Sequence, residues 1–155
     1  MIDYLSIAQN EVVADLGAGT GYFCQQFLTH TAAAKIYAID LEPNIRIYLQ
    51  RRFADVPNLT CTACTPTSPC LPDDVDLLFM ANTYRFITER STFLANLKQQ
   101  LPEKARVVIV DFKGNHARVT PKMAMEEVIA AGFEIYHYER DSCPDHYLLS
   151  FRLAP

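Results

Sequence analysis

The sequence predicts an open α/β sheet that is parallel except for its last strand. Three observations lead there. Five short apolar runs alternate with segments of helical periodicity, two further strand-like runs joined by a polar turn close the chain, and a glycine-rich turn follows the first apolar run at once. With 155 residues and 50% hydrophobic composition, residues 1–155 are expected to form a single domain with a sizeable core.

Residues 1–10 hold Tyr4, Leu5 and Ile7, enough for at most a turn of helix. Val12, Val13, Ala14 and Leu16 then make the first strand, with Asp15 near its end and Gly17, Gly19 and Gly21 beyond it. Residues 22–28 carry Phe23, Phe27 and Leu28 at helical spacing, and residues 36–39 form a second strand that ends at Asp40. Pro43 suits the first turn of a helix running to residue 53. Residues 59–63 are a weaker third strand. Three of the nine prolines fall within residues 65–74, which excludes both helix and central strand there. Residues 75–81 form the fourth strand, and residues 88–101 an amphipathic helix with Phe93, Leu94, Leu97 and Leu101 on one side. The clearest strand, residues 107–110, closes at Asp111. Thr120 as N-cap and Pro121 at the first helical position open a last helix that stops at Gly132. Residues 133–138 and 147–152 are the terminal strands.

Ligands of such sheets bind at the carboxyl ends of the strands, where the strand order switches. Asp15, Asp40, Cys64, Asn82, Tyr84 and Asp111 fall on that rim, whereas Asp73, Asp74 and Asp76 fall on the opposite one and are expected to be structural. Glycines spaced at 17, 19 and 21 let a ligand lie against the main chain. The spacing differs from a dinucleotide fingerprint, which would need glycine where Tyr22 stands, and no Gly-Lys-Ser/Thr ending marks a P-loop.

Asp15, Gly17, Gly19 and Gly21 match the Asp-x-Gly-x-Gly-x-Gly motif of class I S-adenosylmethionine-dependent methyltransferases, and the chain resembles that family over nearly its whole length. Asp40 stands where the family's acidic residue grips the ribose hydroxyls, and Leu101-Pro102 precedes the fifth strand as the family's Leu-x-Pro does. Residues 75–84 and 107–113 look most like its small-molecule, ubiquinone-biosynthesis-like branch. The resemblance implies the Rossmann-like methyltransferase fold, S-adenosylmethionine as cofactor and S-adenosylhomocysteine as product. It places Asp15, Gly17, Ala18, Gly19 and Gly21 along the methionine part, Asp40 and Leu41 at the ribose, Cys64 at the adenine and Asn82 in the same cofactor-binding set. It implies methyl transfer to a small molecule by direct displacement, which needs no fixed catalytic side chain. The alternative is a cofactor-binding module without activity of its own.

Two departures qualify the match. Cys64, a poor acceptor, stands where the family carries an acidic residue toward the adenine amino group. The segment before Val12 is short, so either a second copy or partner subunit supplies a lid, or the site is open. On the acceptor side Tyr84 and His116 are candidates, with Arg85 and Lys113 nearby; His116 offers an imidazole as a general base, although an exposed loop residue without a role is the first account of each. Asp40 could instead serve the following helix as a cap. Cys61, Cys64 and Cys70 lack a fourth ligand at suitable spacing, so no metal is expected. Asn82-Thr83-Tyr84 lacks the prolines of an Asn-Pro-Pro-Tyr motif. A formal net charge of -4 without a basic stripe argues against nucleic acid, and the absence of a long apolar run or secretory start leads to an expectation of a cytoplasmic protein with neither membrane nor nucleic-acid partner. Five cysteines without a framework suit reduced thiols.

Overall fold

The computed structural model describes residues 1–155. Seven strands form one sheet in the order β3-β2-β1-β4-β5-β7-β6. They are β1 (Val12–Leu16), β2 (Lys35–Asp40), β3 (Leu59–Ala63), β4 (Leu77–Ala81), β5 (Arg106–Phe112), β6 (Phe133–Glu139) and β7 (His146–Leu153). β1 to β5 are parallel, while β7 runs antiparallel to both β5 and β6. The expected fold class is therefore the observed one.

The central strands are continuous apolar runs because both faces are covered. α1 (Tyr22–His30) and α2 (Pro43–Arg52) lie on one face, where Val13, Phe79 and Val108 meet Phe27, Leu49 and Phe53. α3 (Arg90–Gln100) and α4 (Pro121–Ala130) lie on the other, where Leu78, Met80 and Ile109 meet Phe93, Leu97 and Val128. The proline-rich connection of residues 64–76 also runs along this second face, tied to α3 by Asn96 and Gln100, whose amides donate to Thr67 O (2.7 Å) and Ser68 Oγ (2.7 Å).

Helix ends follow their sequence signals. Thr120 Oγ1 accepts from the Met123 N–H at 3.1 Å and Pro121 occupies the first turn of α4. Arg51 and Arg52 close α2, where positive charge complements the exposed carbonyls. α3 starts at Arg90, two residues later than expected, because Tyr84–Phe86 form a separate 3-10 turn before it. At the amino-end rim, Asp76 Oδ2 accepts from the Val12 N–H (2.8 Å) and Asp74 accepts the Tyr37 hydroxyl (2.9 Å). These acids hold strand starts in place. No helix is long and apolar enough to cross a membrane.

Candidate functional site

Connections leave β1 and β4 in opposite directions along the sheet, and the carboxyl ends of these neighbours open into a cleft. The cleft measures about 180 Å³ and draws on four strand ends, among them Gly17 at the end of β1, Asp40 and Leu41 at that of β2, Cys64 after β3, and Thr83 and Phe86 after β4.

The glycine turn is fixed by backbone bonds. Gly17 and Ala18 N–H groups donate to Ile39 O at 2.8 and 3.1 Å, so the chain leaving β1 bends over the end of β2. Gly17 has φ +75° and Gly19 has φ +57°, a region where a β-carbon clashes with the following carbonyl. The two glycines differ in surroundings. A β-carbon at Gly17 would fall on Thr83, whereas one at Gly19 would meet nothing within 4 Å. Gly17 is needed for packing and turn, and Gly19 faces open space. Gly21 ends the turn under the Phe53 ring, which would stand 2.6 Å from its β-carbon.

Asp40 ties this turn to the next. Its Oδ2 accepts the Gly19 N–H and its Oδ1 the Glu42 N–H, both at 3.0 Å, and it is 8% exposed. It thus braces the approach to α2, although the N-cap position itself is Glu42. Each oxygen accepts one of these bonds and so retains acceptor capacity for a paired hydroxyl donor. Arg46 Nη1 closes the same turn by donating to Asp40 O (2.9 Å) and Leu41 O (2.8 Å).

Asp15 does not line the cleft. It is turned beneath the glycine turn toward α1, 3% exposed, and accepts the Cys24 thiol at 3.3 Å. Burial pushes its carboxyl up to about 7, the Cys24 hydrogen bond pulls the other way and the Asp40 charge adds to the rise. Ala18 is buried against the α1 side. Cys64 lines the cleft as a neutral thiol, pushed up to about 11 chiefly by burial. No group of three or more His, Cys, Asp or Glu side chains comes together to hold a metal ion.

On the acceptor side the structure corrects one expectation. Tyr84 is fully buried, its hydroxyl donating to Glu127 Oε2 at 2.6 Å, and Glu127 in turn receives both Nε and Nη2 of Arg90 at 2.8 and 2.9 Å. The 3-10 turn carries the ring inward from the rim, so Tyr84 is a core residue with a satisfied hydroxyl. His116 is exposed on the segment between β5 and α4. Asn82 sits at the rim with φ +53°, and its Oδ1 meets Arg85 Nη1 (2.9 Å) and His146 Nε2 (2.8 Å). Arg85 also pairs with Asp111, which is 1% exposed and accepts the Arg85 and Phe112 N–H groups at 3.0 and 2.8 Å.

Sequence reasoning missed Thr83 and Phe86 as cleft residues. Thr83 Oγ1 lies 3.1 Å from Leu16 O and 3.0 Å from Ala81 O, clamping the ends of β1 and β4 together. Its position one residue past Asn82 on the fourth strand's carboxyl end was the available signal.

A model of the FtsJ-like methyltransferase family matches residues 1–135. Among solved structures, a SAM-dependent methyltransferase from Aquifex aeolicus is 20% identical, with TM-score 0.82 over 99% of this chain and 87% of that one. The glycopeptide N-methyltransferase MtfA, complexed with S-adenosylhomocysteine, is 12% identical, with TM-score 0.82 over 99% and 85%. A methyltransferase from Haloferax volcanii, solved with the Trm112 methyltransferase activator, is 13% identical, with TM-score 0.80 over 96% and 85%. None of the curated proteins compared with the chain matches it. The sheet order, the glycine turn and the family match agree: the chain belongs to the FtsJ-like methyltransferase family, and its fold is that of the SAM-dependent methyltransferases.

Proposed function

We propose that the cleft holds S-adenosylmethionine and that the protein transfers its methyl group to a small-molecule acceptor. The observation that carries the reading is Asp40, a carboxylate braced by two N–H groups at the cleft, with the glycine turn on one side and the apolar Leu41 beside it. The residues fit the cofactor. Asp40 is suited to a ribose diol through charge-assisted hydrogen bonds, Leu41, Ile87 and Phe93 offer apolar walls to a planar base, and the open space at Gly19 admits a ligand against the main chain.

Bound S-adenosylmethionine supplies an electrophilic methyl group on a sulfonium and leaves as the neutral thioether. The chain's own contribution is alignment and exclusion of water: the clamp of Thr83 on β1 and β4 and the Asp40 bridge between two turns fix the floor on which both reactants lie. Support for a small acceptor comes from residues 75–84 and 107–113, which resemble the small-molecule branch, and from the net charge of -4.

A second reading, a cofactor-binding subunit that acts with a partner, is favoured by the exposed Tyr22, Leu41 and Phe86 and by the likeness to the Haloferax volcanii enzyme solved with an activator. Calorimetry with S-adenosylhomocysteine on wild type and Asp40→Ala tests the cofactor, with binding lost in the variant. Methyl transfer from labelled cofactor into a metabolite extract tests the enzyme. Binding without transfer, unless a partner is added, selects the second reading.

A further inference from the structure

Phe86 stands at the lip of the cleft, 55% exposed, at the end of the 3-10 turn after β4. Two guanidinium groups lie against its ring, Arg85 at 4.7 Å and Arg118 at 5.3 Å from the centroid. They differ in what else they hold. The Arg85 charge is engaged by the buried Asp111 and by Asn82. Lys113, farther along the rim, is tied through its ammonium to the carbonyls of Arg140 and Cys143. Arg118 is exposed and meets neither a carboxylate nor a carbonyl oxygen, in a chain with 18 acidic residues against 14 basic ones.

Contact with a ring face restricts a guanidinium without consuming its N–H donors, which point outward in its own plane. The fork is therefore held in place and left vacant, the preparation that a two-oxygen anion needs. The surroundings of the cleft are also opposite in charge, with Asp40 in its lining and Arg118 outside it, against the ring of the lining residue Phe86. A cationic cofactor suits the first. An anionic ligand is repelled by Asp40 and attracted by Arg118, so it enters in one orientation.

We propose that Arg118, steadied on Phe86, anchors a carboxylate or phosphate carried by the methyl acceptor. The assignment rests on the reading of the cleft as a cofactor site with the acceptor beside it. It makes the acceptor a small acid whose charged end stays at the outer lip while its neutral end faces the cleft.

The test uses the full chain, which at 17.6 kDa is amenable to solution NMR. Benzoate, phenyl phosphate and, as the neutral control, phenol are titrated with and without S-adenosylhomocysteine, following the arginine Nε–Hε signals. At least one anion is expected to shift a signal that disappears in Arg118→Gln, and the arm that responds separates a carboxylate site from a phosphate site. Affinity should fall about tenfold in Arg118→Gln, as for loss of one charge-assisted pair, and recover partly in Arg118→Lys. Phe86→Leu should weaken it severalfold with the charge intact, while S-adenosylhomocysteine affinity stays unchanged in Arg118→Gln. An equal response to phenol, or unaltered anion affinity in Arg118→Gln, would overturn the proposal. So would a parallel loss of S-adenosylhomocysteine binding, which would make Arg118 a holder of the cofactor's own carboxylate, or methylation of an RNA oligonucleotide in preference to every small acid. If wild type fails to bind S-adenosylhomocysteine, the cofactor reading falls, and the anion titrations without it still report on Arg118 alone.

Discussion

The Thr83 hydroxyl occupies the space that a β-carbon on Gly17 would need: the two atoms would stand 2.2 Å apart. Gly17→Ala should therefore lose stability twice over, through this overlap and through the φ of +75°, by about 2–4 kcal/mol in denaturant unfolding. Adding Thr83→Ala should restore only the steric share, because the backbone strain is independent of the neighbour. A double-mutant cycle reads the difference, and strict additivity of the two substitutions would refute the coupling.

Gly19 offers the contrast. Its β-carbon would meet nothing, so Gly19→Ala should cost only the positive-φ strain of about 1–2 kcal/mol. The added methyl group would project into ligand space, and S-adenosylhomocysteine affinity should drop at least tenfold beyond what the change in stability explains. Calorimetry beside thermal unfolding separates the two effects, and unchanged affinity would mean that the open space is not ligand space.

Asp40→Ala leaves the Gly19 and Glu42 N–H groups without their acceptor, at a cost of about 1–3 kcal/mol each where water cannot replace it. Asp40→Asn keeps an acceptor for one of the two N–H groups, turns its own NH2 toward the other and removes the charge, so it should recover at most part of that loss while its cofactor affinity falls about tenfold. If the two variants bind S-adenosylhomocysteine as wild type does, Asp40 only braces turns.

Asp15 gives stability a pH dependence of unusual sign for a carboxylate. Its folded-state pKa of about 7 lies above the ordinary value of 3.8, so the native state holds the proton more tightly than the unfolded chain. This contribution is complete below pH about 4 and is lost as pH rises to about 7, on the order of a few kcal/mol. Glu11, held below the usual range by its hydrogen bond from Arg106, acts in the opposite sense, with stability lost as pH falls. Asn mimics the protonated acid, so the advantage of Asp15→Asn over wild type should grow between pH 4 and 7. A difference independent of pH would show that Asp15 does not titrate there.

Tyr84→Phe removes the hydroxyl that donates to Glu127 while Arg90 keeps that carboxylate paired. A loss of about 1 kcal/mol in stability is expected, with S-adenosylhomocysteine affinity and methyl transfer unaffected. A fall in turnover with unchanged stability would return Tyr84 to the site.

The fold was legible because its signals were local and repeated. The central strands announced themselves as apolar runs, and glycine, proline and threonine marked the turns and caps that bound α2 and α4. The site was legible in part. Asp40 and the glycines announced a cofactor turn, but the orientation of Asp15 depends on which face of β1 it occupies, and its neighbour Cys24 is supplied by α1. Tyr84 was misplaced because a three-residue 3-10 turn leaves no periodic trace, and that turn decides which side chains of residues 82–86 point inward. Arg118 reaches Phe86 across more than thirty positions of sequence, a contact that no local pattern encodes.

The place of β7 also bears on how the sheet is assembled. β6 has β7 as its only strand neighbour, and β7 is the element that joins it to β5. During synthesis β6 therefore emerges before anything it can pair with, and its backbone groups wait in solvent until residues 146–153 follow. β2 to β5 have no such delay, since each can add to a neighbour already made. Until residues 146–153 emerge, the nascent chain also leaves the edge of β5 unpaired, and such an open strand edge is a template for pairing with another chain.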